Sequence, residues 1–570
     1  MSRIHRGPAA FRRAIRRSPL GPVIARLRKR TPPPPAEPVR RIVPEQEIPT
    51  GADFPAARYV IIVEAIPRRY AGRTISILAK TKLFAGAAEL PTEVVVTGYS
   101  AELPLISEES AARGQRDPRV SLHNLYDWLD DDSTAPGPPA EVQPENPEFE
   151  ALADANEGTV TYVLDGITRV THTLDQEGRL LVRQVADASG APTLREDFDA
   201  NGVLRHRCDY APGERQPTDE RHYRIDGTLA SHRTRRPKPD QPTQREDSTR
   251  TFDRSGAITA TFPSYGAFVQ DILGRRFGTE PTFLTVEARM VDPWLLGWDY
   301  PSVQQIYVLH NTHLQAPYTD VHAITRSVRG ILGKHRSVGA TVFLTPRQRA
   351  DAEQHYGHAG NWVVIPHAAR PVAKAENTVR DPHLVVMFTR LESQKQLSHA
   401  VRVMELVVQE LPEVRLEIYG RGPDHDALVE QIDRLGLTES VHLCGYTTNP
   451  DAILQRASLS LLTSRYEGQS LILAECMANG CPVISYDVTY GPSNIITSGV
   501  NGILVEPGNV TAMAESVIRA LRDEPLRRAM ADRGLSTIDS YTGEILVARW
   551  AQLFRALARN WAQATDAQGR

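Results

Sequence analysis

The residues best suited to chemistry lie in two segments of the second half of the chain. The first segment, FTRLESQKQ, places Arg390 and Lys395 just past an apolar run typical of a strand. Two cations on a loop that leaves the carboxyl end of a strand can neutralise a diphosphate without a metal ion. Such a pair is also common on protein surfaces, so it indicates a diphosphate site only in combination with other suitable residues.

The second segment, SRYEGQSLILAECMANGCPVIS at 464–485, carries two glutamates. Glu467 follows another apolar run, and Glu475 lies about one turn into a helix predicted to begin near Ser470. The backbone N–H groups of Ser470 and Leu471 at such a helix start are suited to a phosphate. Glutamates at helix ends are common, but both segments map to one crevice of the same predicted domain.

A parallel sheet is needed to bring these segments together. Apolar runs alternate with helical patterns over 376–545, which predicts a doubly wound, Rossmann-like α/β domain. The same alternation over 51–130 and 263–375 predicts a second Rossmann-like domain. If the two domains face each other, the loops at the carboxyl ends of their strands meet across one cleft.

A β-rich insertion interrupts the first predicted domain. The acidic, proline-rich stretch 131–156 reads as a linker, and 157–262 alternates short strands with turns. Gly166, Gly178, Gly190 and Gly202 recur every 12 residues, which predicts a hairpin meander. The amphipathic stretch 546–570 is predicted to be a closing helix.

The charge of the chain is unevenly distributed. Among its 570 residues, 66 Lys and Arg oppose 69 Asp and Glu, a formal net charge of -3, which gives no global attraction to nucleic acid. The first 30 residues nevertheless hold ten Lys/Arg and no acid. A basic and proline-rich tail over 1–50 therefore precedes an acidic body. This tail is either disordered or binds an anionic membrane surface.

The cysteine and aspartate patterns favour a protein without a metal. Four cysteines with no CxxC pair and no His/Cys cluster at ligand spacing argue against a disulfide scaffold and a structural zinc site, and they fit a cytoplasmic setting. Asp130, Asp131 and Asp132 could mimic a metal-binding DxD motif, but they open a proline-rich linker. No run approaches the ~20 apolar residues that cross a bilayer.

The run 464–505 resembles the signature of the GT-B retaining glycosyltransferases of family 4. More narrowly, YDVTYGPSNII and LHNTHL resemble the poly(glycerol-phosphate) and poly(ribitol-phosphate) glycosyltransferases of teichoic acid synthesis and related adhesin glycosyltransferases. The resemblance spans about residues 58–545. It implies an α/β fold of two Rossmann-like domains facing a cleft, with a β-rich meander inserted in the first.

The resemblance also implies roles for the residues of the second domain. Arg390 and Lys395 match the basic pair that holds the donor diphosphate and stabilises the leaving nucleotide. Glu475 matches the glutamate that binds the ribose hydroxyls, and Glu467 the one beside the donor sugar. The amides of Ser470 and Leu471 match those that approach the phosphates.

Further positions are implied on loops of both domains. His310 in VLHNTHL matches a histidine near the reacting centre, with His313 as a neighbour. Gly72 in YAGRT matches a glycine-rich turn in which Ala71 replaces the first glycine. The nucleobase pocket would be shaped by Tyr419, Gly420, Gly422, Gly445 and Tyr446, which also fit ordinary strand-to-helix turns.

The expected activity is transfer of a hexose or N-acetylhexosamine from a UDP-sugar to a hydroxyl of a polyol-phosphate cell-wall polymer, with retention and without a metal or cofactor. The alternatives are a protein O-glycosyltransferase acting on a Ser/Thr-rich polypeptide and a catalytically silent polymer-binding subunit. The enzyme is expected in the cytoplasm, either free or peripheral on the inner face of the membrane. The meander is a candidate for acceptor capture or homo-oligomerisation.

Overall fold

The computed structural model describes residues 53–68, 72–130, 135–142, 145–154, 158–238, 241–372 and 379–568. The predicted basic tail, Asp131 and Asp132 lie outside these ranges. None of the helices within the ranges combines the length and the apolar character needed to cross a lipid bilayer.

The first domain begins with buried parallel strands. Its opening elements are β1 (Arg58–Val63), α1 (Arg73–Ala87), β2 (Thr92–Val96), α2 (Leu103–Ala112) and β3 (Val120–Asn124). Strand β1 reads RYVIIV, and every residue after Arg58 is buried, as expected for a strand covered on both faces. Strand β3, VSLHN, was not predicted because its polar residues interrupt the apolar pattern.

The insertion is one antiparallel sheet of ten strands in chain order. Its strands are β4 (Glu150–Asp154), β5 (Thr159–Leu164), β6 (Ile167–Leu174), β7 (Leu180–Ala186), β8 (Pro192–Phe198), β9 (Leu204–Asp209), β10 (Asp219–Tyr223), β11 (Leu229–Lys238), β12 (Gln241–Phe252) and β13 (Ile258–Phe262). Strand β4 lies in the segment predicted to be a linker. Its five residues are all exposed, so it has no apolar pattern, and it is held by pairing with β5.

Three of the four turns in the 12-residue repeat share one arrangement. In the turn between β6 and β7, Asp175 accepts hydrogen bonds from the amides of Glu177 and Arg179, both at 2.9 Å. Gly178 has φ 80°, a conformation that favours glycine. The turn between β8 and β9 repeats this arrangement around Asp199. The turns that contain Gly178, Gly190 and Gly202 therefore share one side-chain cap, whereas Gly166 lies in a tighter two-residue turn.

The chain then returns to the first domain. These elements are α3 (Tyr265–Phe277), β14 (Thr282–Val286), α4 (Asp292–Leu295), β15 (Val303–Leu309), α5 (Arg326–Gly333), β16 (Ala340–Phe343), α6 (Pro346–Tyr356) and β17 (Trp362–Val364). The seven parallel strands have the order β17-β16-β15-β14-β1-β2-β3. The strand order reverses between β1 and β14, and ligands of such sheets bind beside that point.

A buried polar layer joins the insertion to the first domain. Asp197 on β8 pairs with Arg195 at 2.7 Å and with His206 Nδ1 on β9 at 2.8 Å. The His222 ring stacks on His206 and on Tyr126 of the first domain, with centroids 4.2 and 3.4 Å apart. Burial lowers the pKa of His222 well below its ordinary value, so it is neutral. Asp197 therefore balances the positive charge of this layer.

Replacing the central carboxylate should destabilise this joint. In the Asp197→Ala variant, Arg195 and His206 lose their counter-ion while they stay largely buried, and we expect a cost of about 3–5 kcal/mol. The matched control is Asp209→Ala on the outer, solvated face of the same sheet, where the cost should stay below about 1 kcal/mol. Thermal unfolding of both variants is the measurement, and equal melting temperatures would contradict the assignment.

The second domain is a six-stranded parallel sheet in the order β20-β19-β18-β21-β22-β23. Its elements are β18 (Asp381–Phe388), α7 (Leu397–Glu410), β19 (Arg415–Tyr419), α8 (His425–Arg434), β20 (Val441–Gly445), α9 (Pro450–Arg456), β21 (Ala457–Leu462), α10 (Leu471–Ala478), β22 (Val483–Tyr486), α11 (Pro492–Ile495), β23 (Gly502–Val505), α12 (Val510–Arg522) and α13 (Glu524–Ile538). The strand order reverses between β18 and β21.

The last helix, α14 (Gly543–Gln568), crosses back to the first domain. Phe554 packs against Tyr59 and Phe283, with ring centroids 5.0 and 4.7 Å apart, and Trp550 packs against Phe84. These buried aromatic residues form one cluster that covers the first sheet. The predicted closing helix therefore completes the core of the first domain.

Candidate active site

In each domain, loops extend from the strands beside the point where the strand order reverses. These loops meet between the two domains. In the first domain, Gly72 follows β1, Glu287 follows β14 and His310 follows β15. In the second domain, one loop follows β18 and another follows β21. A Cβ at Gly468 would lie 2.1 Å from the carbonyl oxygen of His310, so the backbones of the two domains touch here.

The loop after β18 and the loop after β21 are joined by an ion pair. Lys395 ends a 3₁₀ turn, and its Nζ donates to Glu467 Oε1 at 2.7 Å. The Ser464 hydroxyl donates to the same oxygen at 2.6 Å, and Thr463 Oγ1 donates to the Lys395 carbonyl at 2.8 Å. Only 15% of the Lys395 side chain is exposed. Lys395 and Glu467, which the sequence analysis singled out separately, therefore form one contact.

Arg390 lies at the mouth of the same crevice. Its side chain is 50% exposed, and its guanidinium pairs with Glu392 at 2.6 Å. The side chain of Gln394 in this loop donates to the carbonyl of Tyr466 at 3.1 Å, which holds the loop against the one that carries Glu467. Arg390 is thus an accessible cation beside the half-buried Lys395.

Helix α10 begins where the sequence predicted, with Ser470 as its N-cap. The amides of Ser470 and Leu471 have no acceptor within the helix, as at every helix start. Glu475 lies one turn further on. Burial raises the pKa of Glu475, and this is opposed by the guanidinium of Arg370, which pairs with both carboxylate oxygens of Asp451 at 2.7 Å.

The loops after β19 and β20 surround the cationic loop. Gly420 has φ 148°, and a Cβ there would lie 1.7 Å from the Thr389 carbonyl oxygen, so only glycine fits. Gly422 similarly approaches the Leu391 carbonyl, and Gly445 follows in the next loop. Tyr419 stacks on Phe388 with centroids 5.0 Å apart. Tyr446 is 67% exposed at the edge of the crevice.

Gly72 is the N-cap of α1 and has φ 52°. Among the described residues, no atom outside its own chain neighbours and helix backbone lies within 4 Å of the position that a Cβ would take. Tyr70 and Ala71 of the same motif lie outside the described residues. Gly72 lies between β1 and α1, where the sequence predicted it.

The two histidines of the LHNTHL motif have different surroundings. His310 Nε2 binds the buried carboxylate of Glu287, which also binds Lys80. His313 is buried and stacks on Tyr490 of the second domain with centroids 5.5 Å apart. Burial lowers the pKa of His313 to about 4, so it is neutral.

Several residues of the interdomain surface were not singled out in the sequence. Tyr490 reaches into the first domain, where its hydroxyl donates to Asp351 at 2.8 Å. Gln469 accepts a hydrogen bond from the amide of His367 at 2.7 Å. Gly468 and Tyr490 do occur in the quoted motifs, but their contacts are with another domain. A linear pattern carries no sign of such a partner.

A second polar cluster lies in the insertion, away from this cleft. His206, Cys208 and Glu220 bring three potential ligand atoms within 4.8 Å of one another. This cluster could not be recognised in the sequence because Glu220 lies on the neighbouring strand, opposite Cys208. Glu220 Oε1 accepts hydrogen bonds from Arg235 at 2.8 Å and from Arg233 at 3.4 Å. These guanidinium groups balance the charge of the carboxylate. We therefore assign the cluster to the polar layer that joins the insertion to the first domain.

Two Rossmann-like domains whose strand ends face a common cleft define the GT-B class. A structure of Staphylococcus aureus TarM with fondaparinux, alpha-GlcNAc-glycerol and UDP has this fold, with a TM-score of 0.65 at 19% identity, covering 87% of this chain and 99% of that chain. The pneumococcal O-GlcNAc transferase GtfA, in complex with UDP and GlcNAc, gives a TM-score of 0.62 at 17% identity, covering 88% of this chain and 99% of that chain. The predicted fold, with its β-rich insertion, is confirmed.

Residues 370–536 match the family model described as Glycosyl transferases group 1. This part of the chain is a glycosyltransferase group 1 domain, as the sequence predicted. The poly(glycerol-phosphate) alpha-glucosyltransferase of Bacillus subtilis strain 168 is 30% identical over 253 residues, which cover 44% of this chain and 37% of that protein. The chain thus matches about a third of the length of this relative.

The contact of Gly468 with His310 can be tested by adding one methyl group. In Gly468→Ala the Cβ would lie about 1 Å inside the shortest ordinary C···O contact, so the two loops must separate. We expect small-angle X-ray scattering to show a more open molecule with little change in thermal stability, because the clash lies between domains. Gly86→Ala in α1, where a Cβ meets nothing within 4 Å, is the control. Identical scattering profiles would refute the contact.

Proposed function

We propose that this protein is a retaining glycosyltransferase that moves a hexose or N-acetylhexosamine from a UDP-sugar to a hydroxyl of a polyol-phosphate polymer. The observation that carries this proposal is the convergence of Arg390, Lys395 and Glu467 where the strand order of a group 1 domain reverses. The name of the Bacillus subtilis relative and the ligands of TarM support this donor and acceptor.

In the proposed mechanism, Arg390 and Lys395 hold the donor diphosphate together with the amides of Ser470 and Leu471. Glu475 binds the ribose hydroxyls, while Gly420 and Tyr446 border the nucleobase. The Lys395 ammonium has three protons, so it can keep its bond to Glu467 and donate to a phosphate oxygen. Glu467, held in this way, lies beside the donor sugar.

The acceptor hydroxyl attacks the anomeric carbon from the face on which the diphosphate departs. A new C–O bond forms, the bond from the anomeric carbon to the phosphate oxygen breaks, and the hydroxyl proton passes to the departing diphosphate. The two cations stabilise the charge that develops on the diphosphate, which is the role of a metal ion in other transferases. His310 lies near the reacting centre, and Gly72 allows close approach of phosphate or acceptor.

Removing Lys395 should abolish most of the activity. In the presence of EDTA, we expect UDP release from UDP-glucose or UDP-N-acetylglucosamine to require poly(glycerol-phosphate) and to fall by about 10²–10³-fold in Lys395→Ala. The control is Lys334→Ala, an exposed lysine at the end of α5, which should keep full activity. Activity that disappears with EDTA in the unchanged protein would refute the metal-independent mechanism.

The second candidate is a protein O-glycosyltransferase, which the similarity to pneumococcal GtfA favours. The same assay separates the two functions if a Ser/Thr-rich polypeptide replaces the polymer. Transfer to the polypeptide alone would establish this alternative. UDP binding without transfer to either acceptor would favour the silent polymer-binding subunit. The cytoplasm is the proposed location for either enzyme, because nucleotide sugars are the donor.

We also propose that the outer face of the insertion captures the polymer. A shallow depression of about 600 Å³ there is lined by Arg207, Arg221 and Arg236, together with Asp209 and Asp219. The arginine side chains are one-third to one-half exposed, so they can contact a polyanion. The sheet also offers a surface for self-association, and the tail outside the described residues is the proposed contact with anionic lipid.

Replacing two of these arginines tests the docking surface. In Arg207→Gln/Arg221→Gln, we expect a several-fold higher KM for long poly(glycerol-phosphate) and an unchanged KM for glycerol phosphate, which is too short to reach the insertion. Steady-state kinetics with both acceptors gives the comparison. An equal change for the long and the short acceptor would argue against polymer capture by the insertion.

A further inference from the structure

A buried chain of charged groups leads from helix α1 to His310. Lys80 Nζ donates to Glu287 Oε1, and the other carboxylate oxygen, Oε2, binds His310 Nε2. Lys80 is 8% exposed and Glu287 is 1% exposed. Trp550 of the last helix covers the pair, with Lys80 Nζ 4.6 Å from the centre of its ring. Helix α1, the loop after β14 and helix α14 therefore meet beside His310.

Burying the ion pair of Lys80 and Glu287 costs free energy of desolvation, so we expect the pair to have a role other than stability. Burial alone would raise the pKa of Glu287, but the charge of Lys80 and the hydrogen bond from His310 hold it well below its usual range. Glu287 is therefore ionised. An ionised carboxylate only accepts hydrogen bonds, so the proton in its bond to His310 is on Nε2.

The protonation state of the other ring nitrogen of His310, Nδ1, follows from the groups around the ring. Burial lowers the pKa of His310; Glu287 opposes this, while Lys80 and Arg289 add to it. His367, whose pKa is lowered to about 3 chiefly by burial, stacks on His310 with centroids 5.3 Å apart. His310 is thus neutral, and Nδ1 carries a lone pair. Within the described residues, Nδ1 is buried and has no hydrogen-bond partner.

We propose that Glu287, kept ionised by Lys80, is a positioning residue that fixes the His310 ring with Nδ1 as the hydrogen-bond acceptor for a hydroxyl of the bound sugar or acceptor. A buried acceptor without a partner is costly, so a ligand that brings an O–H donor gains from filling it. This inference rests on the proposed function, because it assumes that the cleft binds a hydroxyl-bearing substrate near His310.

The state of His310 can be measured without turnover. In the full-length protein labelled with ¹⁵N-histidine, NMR at pH 7 should show His310 with a protonated Nε2 and an unprotonated Nδ1, the signals being assigned by their loss in His310→Gln. In Lys80→Met/Glu287→Gln this tautomer preference should be lost. The double variant removes both charges together, so that no ion is left buried alone. A protonated Nδ1 in the unchanged protein would overturn the inference.

Kinetics tests whether Glu287 acts through His310. With the UDP-sugar that the unchanged protein uses, Glu287→Gln should lower kcat by about tenfold or more while the Kd for UDP changes less than about twofold, since the second domain binds UDP. In Glu287→Gln/His310→Ala, kcat should equal that of His310→Ala alone. Losses that multiply instead would overturn the positioning role, because they would show that Glu287 acts independently of His310.

Glu93→Gln is the matched control. Glu93 pairs with Arg58 in the same sheet but at the opposite end of β1, and its replacement should leave kcat and the NMR signals of His310 unchanged. If the predicted tautomer is present but no UDP-sugar is turned over, the proposed function fails while the arrangement of Glu287 and His310 stands. If turnover is normal in Glu287→Gln, the positioning role fails while the proposed function stands.

Discussion

The rest of the site depends on the backbone contact between Gly468 and His310. A parallel sheet places its loops at one edge, and each domain has one point where the strand order reverses and neighbouring loops diverge. At Gly468 the loop after β21 touches the loop after β15, because glycine leaves room for the His310 carbonyl. That contact puts Glu467, one residue away, next to the first domain. Gln469 and Tyr490 hold the same two surfaces together on either side.

Two ion pairs with little solvent exposure lie in the loops and helices beside that contact. Lys395 pairs with Glu467 in the second domain, and Lys80 pairs with Glu287 in the first. Each pair ties together elements that are far apart in the chain, which fixes side chains that a diphosphate or a sugar would meet. Such pairs add little to stability because removing two ions from water is costly. Their value lies in preorganisation, since charges that are already in position need not reorganise when the substrate reacts.

The insertion is attached to the first domain by a polar layer beside a small apolar cluster. The cores are aliphatic and aromatic, whereas the joint at Asp197, His206 and His222 is polar and stacked. Hydrogen bonds in such a layer are directional, so they fix the orientation of the sheet relative to the first domain. The outer face of the sheet is then presented to solvent at a defined position beside the first domain.

The sequence by itself determined the parallel strands other than β3, the repeated turns and the loops that carry Arg390, Lys395, Glu467 and Glu475. These features depend on local patterns: apolar runs for strands buried on both faces, a glycine every 12 residues, and cations or carboxylates just past a strand end. Only the tertiary structure decided that Lys395 pairs with Glu467, that β4 joins the insertion and that α14 returns to the first domain. It alone also brought Lys80 to Glu287 and Glu287 to His310, because partners separated by 207 and by 23 residues leave no periodicity in the chain.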